Sequence, residues 1–225
     1  HKGADLLAPG NTLASFDAAL AAGVDMIEFD VLPEDPHDRA RSRLVLGHDY
    51  TNDPASAPSL EDALRHLAPS GIRLDVDLKL AGYEERVLHA LGEWDLLDRT
   101  LISSMERTSL HRLRALAPAL ELGWSVPRAG RDYTASPIWR LPAAGALAVG
   151  RVAFPRRAGV ELRAGLCDAI MAYWRLVTPR LVRAVRDAGG ELYVWTVDSG
   201  PQIARLEAMG VTGIITNDPR LFTAA

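Results

Sequence analysis

The chain lacks several features that would each point to a particular class of protein. Cys167 is its single cysteine, so it forms no intrachain disulfide, which favours a reducing compartment and a cytoplasmic location. No apolar run reaches the roughly 18 residues that a transmembrane helix needs. No run of Lys or Arg marks a nucleic-acid-binding face, and the formal net charge is −4. We therefore expect a globular protein without a transmembrane segment or a nucleic-acid partner.

The length and the alternation of apolar patterns predict the domain organisation. A chain of 225 residues, 48% of them hydrophobic, suits a single domain over residues 1–225 with a sizeable core. Strand-like and helix-like segments alternate along it. The expected strands are 25–31, 44–48, 73–80, 100–104, 121–126, 169–177, 191–197 and 213–216. The segment 127–166 is rich in Ala, Gly, Pro and Arg, and is predicted to be an irregular insertion with a loop and one helix.

Repeated strand–helix units predict a parallel sheet with helices outside it. About eight units in about 220 residues fit a (β/α)8 barrel, with a doubly wound open sheet as the alternative. The barrel is favoured because several chemically active side chains fall at or near carboxyl ends of strands, where barrel active sites form. These residues are Asp30, Asp77, Lys79, Trp195 and Asn217.

Two of the expected strands carry acidic side chains that share a face. Side chains alternate along a strand, so Glu28 and Asp30 project together, as do Asp77 and Lys79. Buried carboxylates are costly without partners, and a hard divalent cation, Mg²⁺ or Ca²⁺, prefers such oxygen ligands. We predict Glu28, Asp30 and Asp77 as metal ligands, with Asp75 as a competitor for the third place. A pair of ion-paired carboxylates on the first strand is the alternative.

The remaining candidates are side chains that would act on an anionic substrate. His1 and His48 each lie beside an expected strand end and are the predicted acid and base, since imidazole exchanges protons near neutral pH. Lys79 is predicted to bind a substrate oxygen, although a lysine in this position often makes a simple salt bridge. Trp195 is either core or an apolar wall for the substrate, and Asn217 is either a site residue or a turn residue before a proline.

Several of these residues belong to short motifs that run in order along the chain. The motifs are His1-Lys2-Gly3, Asn11-Thr12-Leu13, Ile27-Glu28-Phe29-Asp30-Val31, Gly47-His48-Asp49, Asp77-Leu78-Lys79, Trp195-Thr196-Val197-Asp198 and Gly213-Ile214-Ile215-Thr216. Together they resemble the glycerophosphodiester phosphodiesterase family. The resemblance implies a (β/α)8 barrel that hydrolyses glycerophosphodiesters to sn-glycerol 3-phosphate and an alcohol, using a histidine pair and Mg²⁺ or Ca²⁺.

The resemblance also assigns roles to positions and reveals departures from the family pattern. It implies that the first barrel strand precedes His1 and that residues 44–48 lie outside the barrel. Lys2 stands where the family usually has Arg, and Gly10 stands where it usually has Glu. The third acid, Asp77, is shorter than the usual Glu, and the segment 33–43 is longer than the usual turn. We count Lys2 with Lys79, Trp195 and Asn217 among the predicted substrate- or phosphate-binding residues.

Two further functions stay open at this point. The motifs around Asp77, Trp195 and Asn217 are also similar to those of the sphingomyelinase D and phospholipase D toxins, which form a cyclic phosphate. The Asn11-Thr12-Leu13 helix start is typical of the phosphodiesterases and ranks them first. A non-catalytic barrel that binds a phosphate ligand is the other alternative. The expected partner is a small-molecule or lysolipid phosphodiester, and the sequence leaves the oligomeric state open.

Overall fold

The computed structural model describes residues 1–51, 53–127 and 140–222. The strands are Met26–Pro33 (β1), Leu44–Leu46 (β2), Arg73–Leu78 (β3), Thr100–Ser104 (β4), Glu121–Val126 (β5), Ala169–Tyr173 (β6), Glu191–Trp195 (β7) and Gly213–Ile214 (β8). The helices are Leu13–Ala21 (α1), Leu60–Leu67 (α2), Glu84–Glu93 (α3), Arg107–Leu116 (α4), Arg140–Arg163 (α5), Pro179–Arg186 (α6) and Gly200–Ala208 (α7).

The described strands form one curled sheet in the order β2-β1-β3-β4-β5-β6-β7-β8. From β1 to β8 the neighbours are parallel and follow chain order, without the reversal of a doubly wound sheet. The N-terminal segment reaches both ends of this series: Gly3 N–H donates to the Glu28 carbonyl at 2.9 Å and Leu6 N–H to the Asn217 carbonyl at 3.0 Å. The predicted (β/α)8-barrel fold is therefore confirmed, and the open-sheet alternative is excluded.

Strand β2 lies outside the parallel series, as the family resemblance implies. It pairs antiparallel with the end of β1, with Val31 opposite Leu46 and Pro33 opposite Leu44.

Other strands end earlier than the sequence suggests. Strand β6 stops at Tyr173 rather than 177, because its last pair is with Trp195, the end of β7. Beyond Tyr173 the chain forms a short 3-10 helix.

The core between the sheet and the helices fixes the strands that carry the candidate site. Phe16 of α1 and Phe29 of β1 are fully buried, with ring centroids 5.3 Å apart. Burying each such side chain stabilises the fold by about 1.5–3 kcal/mol. Helix α2 begins with the predicted capping box, in which Ser59 and Asp62 satisfy each other's backbone N–H groups. The outward faces of the strands are thus occupied by packing, which leaves the inward faces for chemistry.

The predicted insertion around 127–166 is dominated by α5, a helix of 24 residues with Pro155 inside it. The ring of Phe154 on this helix packs against Trp124 of β5, with centroids 5.5 Å apart. The loop predicted there falls largely on residues 128–139, which lie outside the described residues. Of the helices in the described ranges, none, α5 included, is long and apolar enough to cross a membrane.

Candidate active site

Four carboxylates, two from each strand, meet on the inward face of β1 and β3, and three of them lie close enough together to share an ion. The two strands pair in register, with Glu28 opposite Asp75 and Asp30 opposite Asp77. One ligand oxygen from each of Glu28, Asp30 and Asp77 lies within 4.8 Å of the others. These three residues are 8%, 0% and 7% exposed, so water screens their charges poorly. We call these three residues the acidic cluster; they are the residues the sequence predicts as metal ligands.

Lys79 follows β3 and supplies the positive charge that faces the acidic cluster. Its Nζ lies 2.5 Å from Oδ1 of Asp30 and 2.5 Å from Oδ2 of Asp77. Burial alone would lower the pKa of the ammonium group, but Asp30 and Asp77 outweigh it and raise that pKa far above its ordinary value. The lysine therefore stays charged and offsets part of the negative charge of the cluster.

The carboxylates respond unequally to this environment. Burial raises the pKa of Asp77 to about 6, against the opposing charge of Lys79 and with support from the charges of Asp30 and Glu28. Burial and the charge of Asp30 also raise the pKa of Glu28. At Asp30 burial acts in the same direction, but Lys79 overcomes it and holds the pKa well below its usual range. One lysine is thus too little positive charge for three buried carboxylates.

The chemistry of the donor set fits a hard divalent cation. Oδ1 of Asp77 is buried and accepts no hydrogen bond from any residue that the structure describes. A buried oxygen without a donor is unfavourable, and a cation would satisfy it. Asp75 lies one step deeper in the barrel, where its carboxylate accepts a 2.7 Å hydrogen bond from Ser103 Oγ. Oδ2 of Asp75 is also buried without a partner among the described residues, so it is the grouping of ligand oxygens from Glu28, Asp30 and Asp77 within 4.8 Å that favours Asp77 as the third ligand.

His1 lies beside the acidic cluster and is oriented by a chain of hydrogen bonds. Its Nδ1 is 2.6 Å from Oδ1 of Asn217, and Nδ2 of Asn217 donates to Asp198 at 2.7 Å. Because an ionised Asp198 only accepts, it turns the amide oxygen toward the imidazole, and Nδ1 must carry the proton. The backbone N–H of Lys2, the next residue, donates to Glu28 Oε2 at 2.7 Å. Nε2 of His1 is therefore the ring atom available for proton transfer.

His48 lies near Asp30 and Lys79, in the connection that follows β2. The backbone N–H of Gly47 donates to the carbonyl of Asp30 at 3.1 Å, which fixes the start of this connection. His48 is exposed, yet partial burial of its ring lowers its pKa, and the charges of Lys79 and Lys2 add to this effect. The imidazole is therefore neutral near neutral pH and suited to accept a proton.

Asn11 is a site residue that the sequence indicates only as part of a helix start. Thr12 is the N-cap of α1, whereas Asn11 precedes it with φ of 58°. Its Nδ2 donates to Oδ2 of Asp30 at 2.9 Å, and its Oδ1 accepts the backbone N–H of Asp30 at 3.0 Å. Asn tolerates the left-handed conformation better than most residues. The conformation and the hydrogen bonds together explain an asparagine before the cap.

Trp195 ends β7, where it is neither fully buried core nor fully exposed. Its indole N–H donates to the carbonyl of Met171 at 2.8 Å, which anchors the ring inside the barrel. The ring is half-buried and lies 5.6 Å from that of Tyr173 at the end of β6. The two rings form an aromatic surface at the carboxyl end of the barrel, where an apolar part of a substrate could pack.

A groove of about 510 Å³ lies between the N-terminal segment and the connection that follows β2. Residues that line it include Lys2, Asp5 and Gly10 on one side and His48 and Asp49 on the other. Its size suits a small-molecule ligand. The groove gives such a ligand access to His48 and to the predicted phosphate-binding residue Lys2.

The described residues form a barrel with buried carboxylates, a lysine and two histidines near the carboxyl ends of its strands, an arrangement that fits a hydrolase. The sequence model of the glycerophosphoryl diester phosphodiesterase family matches residues 1–32 and 58–221. The chain belongs to this family, and it is a phosphoric diester hydrolase. The unmatched residues 33–57 contain the long β1–β2 connection, β2 and His48.

Comparisons with individual proteins agree with this placement. A glycerophosphodiester phosphodiesterase of Caldanaerobacter subterraneus subsp. tengcongensis is 24% identical, over 97% of this chain and 93% of that protein. The crystal structure of a glycerophosphodiester phosphodiesterase from Agrobacterium tumefaciens aligns with a TM-score of 0.74 and 20% identity, over 100% and 97% of the two chains. An Oleispira antarctica phosphodiesterase, solved with the product sn-glycerol-3-phosphate, aligns with a TM-score of 0.72 and 20% identity, over 100% and 94%.

Proposed function

We propose that the chain hydrolyses glycerophosphodiesters to sn-glycerol 3-phosphate and an alcohol, with one divalent cation, Mg²⁺ or Ca²⁺, and two histidines. The observation that carries the proposal is the acidic cluster, with oxygens of Glu28, Asp30 and Asp77 within 4.8 Å of one another. The family to which the chain belongs, and the product bound to the Oleispira antarctica phosphodiesterase, support the choice of substrate.

The acidic cluster would hold the cation. When bound, the cation supplies Lewis-acid stabilisation of the charge that builds on the phosphate during displacement. Lys79 is held within 2.5 Å of Asp30 and Asp77, and its ammonium group adds a fixed positive charge beside the same oxygens. Lys2 lines the groove and adds a second positive charge toward the substrate phosphate.

The two histidines divide the proton transfers of the reaction. His48 has a lowered pKa, so it is neutral at neutral pH and takes the proton of the attacking water. To act as the acid, His1 must carry a proton on both ring nitrogens; it gives the Nε2 proton to the oxygen of the departing alcohol and keeps the Nδ1 proton, which Asn217 Oδ1 accepts. The water oxygen bonds to phosphorus as the phosphorus–alkoxide bond breaks. The water has then lost a proton to His48 and the alcohol has gained one from His1, and proton exchange with solvent returns both histidines to their starting states.

A product assay tests this proposal. The purified protein is incubated with glycerophosphocholine and with lysophosphatidylcholine, with added Mg²⁺ or Ca²⁺ and with excess chelator. Phosphorus NMR separates sn-glycerol 3-phosphate from a cyclic phosphate. We expect free sn-glycerol 3-phosphate from glycerophosphocholine, and loss of turnover with chelator. A cyclic product would favour attack by a substrate hydroxyl, and the absence of turnover with either cation would favour a binding protein.

A further inference from the structure

We infer that Asp5 is a positioning residue that sets the place of the Lys2 ammonium group in the groove beside His48. The inference rests on the phosphate-binding role proposed for Lys2. Gly10, where the family pattern usually has Glu, carries no acid, and Asp5 is a carboxylate that faces the Lys2 ammonium group.

The backbone of Lys2 is fixed on both sides, so its side chain is what remains to be placed. Its N–H donates to Glu28 Oε2 at 2.7 Å. Its carbonyl accepts from the backbone N–H of Asn11 at 3.0 Å and from Ser15 Oγ at 2.8 Å. Its φ of 53° is left-handed, a conformation that these three hydrogen bonds support. The flexible stem of a lysine, however, has many rotamers, and only a partner at the ammonium end selects among them.

Asp5 provides that partner and is itself held in place. Its Oδ1 accepts the backbone N–H of Gly10 at 2.8 Å, while its Oδ2 lies 3.9 Å from Lys2 Nζ. All three residues line the groove. A carboxylate fixed by a backbone hydrogen bond is a pre-organised partner, because it does not need to be ordered when the ammonium group approaches. Asp5 therefore holds the ammonium group at the groove rather than in bulk water.

The absence of a side chain at position 10 is required by this arrangement. A β-carbon there would lie 2.5 Å from Asp5 Oδ1 and 2.9 Å from Cβ of Lys2. Contacts that short force the neighbours to move, and both neighbours belong to the ion pair. Gly10 and Asp5 are therefore a matched pair, in which the glycine makes room for the carboxylate that holds Lys2.

The simplest alternative makes the opposite prediction for an anionic ligand. If Asp5 acts only as a nearby negative charge, its neutralisation should tighten the binding of a phosphate. If it positions Lys2, its neutralisation should weaken that binding, because the ammonium group loses its defined place. The substitution Asp5→Asn keeps an oxygen acceptor for the N–H of Gly10 and removes the charge. The sign of the change therefore separates positioning from simple electrostatics.

The test is a double-mutant cycle on the dissociation constant of sn-glycerol 3-phosphate, measured by calorimetry at low salt with Mg²⁺ present. We expect Asp5→Asn to weaken binding about 3- to 5-fold, the scale of a partly exposed ion pair. In the Lys2→Met background the same substitution should cause no weakening. Gly10→Ala should resemble Asp5→Asn, and Asp25→Asn, an equal charge change at an exposed site before β1, should have no effect.

Unchanged or tighter binding by Asp5→Asn, or equal weakening with and without Lys2, would overturn the inference. Unfolding midpoints of all variants show whether the folded protein is being compared. The readout is binding of the product, so it does not require turnover. A chain that shows the expected cycle but hydrolyses no glycerophosphodiester would contradict the proposed function alone, and an additive cycle in an active enzyme would contradict this inference alone.

Discussion

Asn11 and Asp30 are joined by a reciprocal pair of hydrogen bonds, side chain to side chain at 2.9 Å and backbone N–H to side chain at 3.0 Å. The pair ties the residue before α1 to the centre of β1. Asn11 donates to Oδ2 of Asp30 and Lys79 lies against Oδ1, so each oxygen of this carboxylate has its own partner. A carboxylate held in this way is a pre-organised ligand, and its geometry depends on a residue outside the acidic cluster.

Replacing Asn11 should therefore impair both the fold and the site. In Asn11→Ala the buried backbone N–H of Asp30 loses its acceptor, which costs about 1–3 kcal/mol in the free energy of unfolding. We expect a further loss of cation affinity, about 10- to 100-fold, because Asp30 loses its orienting partner. Urea unfolding and calorimetry measure the two effects. Ser59→Ala, which removes the cap of α2, should lower stability by about 1 kcal/mol and leave cation affinity unchanged.

His48→Ala should abolish most of the activity and leave the fold intact. The side chain is exposed, so its removal creates no cavity, whereas loss of a general base typically lowers kcat about 100- to 10,000-fold. Steady-state kinetics with glycerophosphocholine and a thermal unfolding curve test both statements. His89→Ala removes an exposed histidine on α3 and serves as the matched control. Near-wild-type turnover by His48→Ala would end the proposed acid–base mechanism.

Asp198→Asn should lower turnover through the orientation of His1. An asparagine at position 198 can donate as well as accept, so the amide of Asn217 is free to flip and present its nitrogen to the imidazole. Nδ1 of His1 then has to accept a hydrogen bond instead of donating one, which disfavours the doubly protonated ring that the acid role requires. We expect kcat to fall about 10- to 100-fold with KM little changed. Nitrogen NMR of the His1 ring reports the tautomer; an unchanged tautomer together with reduced kcat would refute this explanation.

The raised pKa of Asp77 predicts how stability depends on pH when chelator is present. Its pKa is about 6 in the folded state and its ordinary value is 3.8, so the folded protein binds the extra proton. The free energy of unfolding should therefore fall as pH rises from about 4 to 6, by up to about 3 kcal/mol from this group. Asp77→Asn should make this fall smaller, and the raised pKa values of Glu28 and Asp75 should account for the slope that remains. A wild-type curve without a fall, or a variant in which the fall is as large, would show that Asp77 is not the group responsible.

The sequence predicts the barrel because periodicity and polar strand ends are local features. All eight described strands lie at expected positions, and the family resemblance is confirmed by the family match. The lengths of β6 and β8 could not be read from apolar runs, since a strand ends where its neighbours stop pairing. The residues predicted at the site lie where the sequence suggests, but their catalytic roles stay predictions.

The contacts that hold the site residues in place could not be predicted from the sequence, for a related reason. Asn11 and Asp30 are 19 positions apart, and Asp198 and Asn217 are also 19 apart, so only the folded barrel brings each pair together. Asp5 is close to Lys2 along the chain, yet the fixed position of its carboxylate depends on the turn that presents Gly10 N–H. Local patterns indicate which side chains are chemically able to act, and tertiary contacts determine which of them are held in place.

Direct measurement of cation binding tests the central claim most sharply. Calorimetric titration of the cation-free protein at pH 7.5 with Mg²⁺ and with Ca²⁺ should give one site per chain for at least one of the two ions. Asp77→Asn should weaken that site at least about 10-fold, and Asp25→Asn should leave it unchanged. Binding that is equally strong in Asp77→Asn, or no binding of either ion by a folded and active enzyme, would contradict the account.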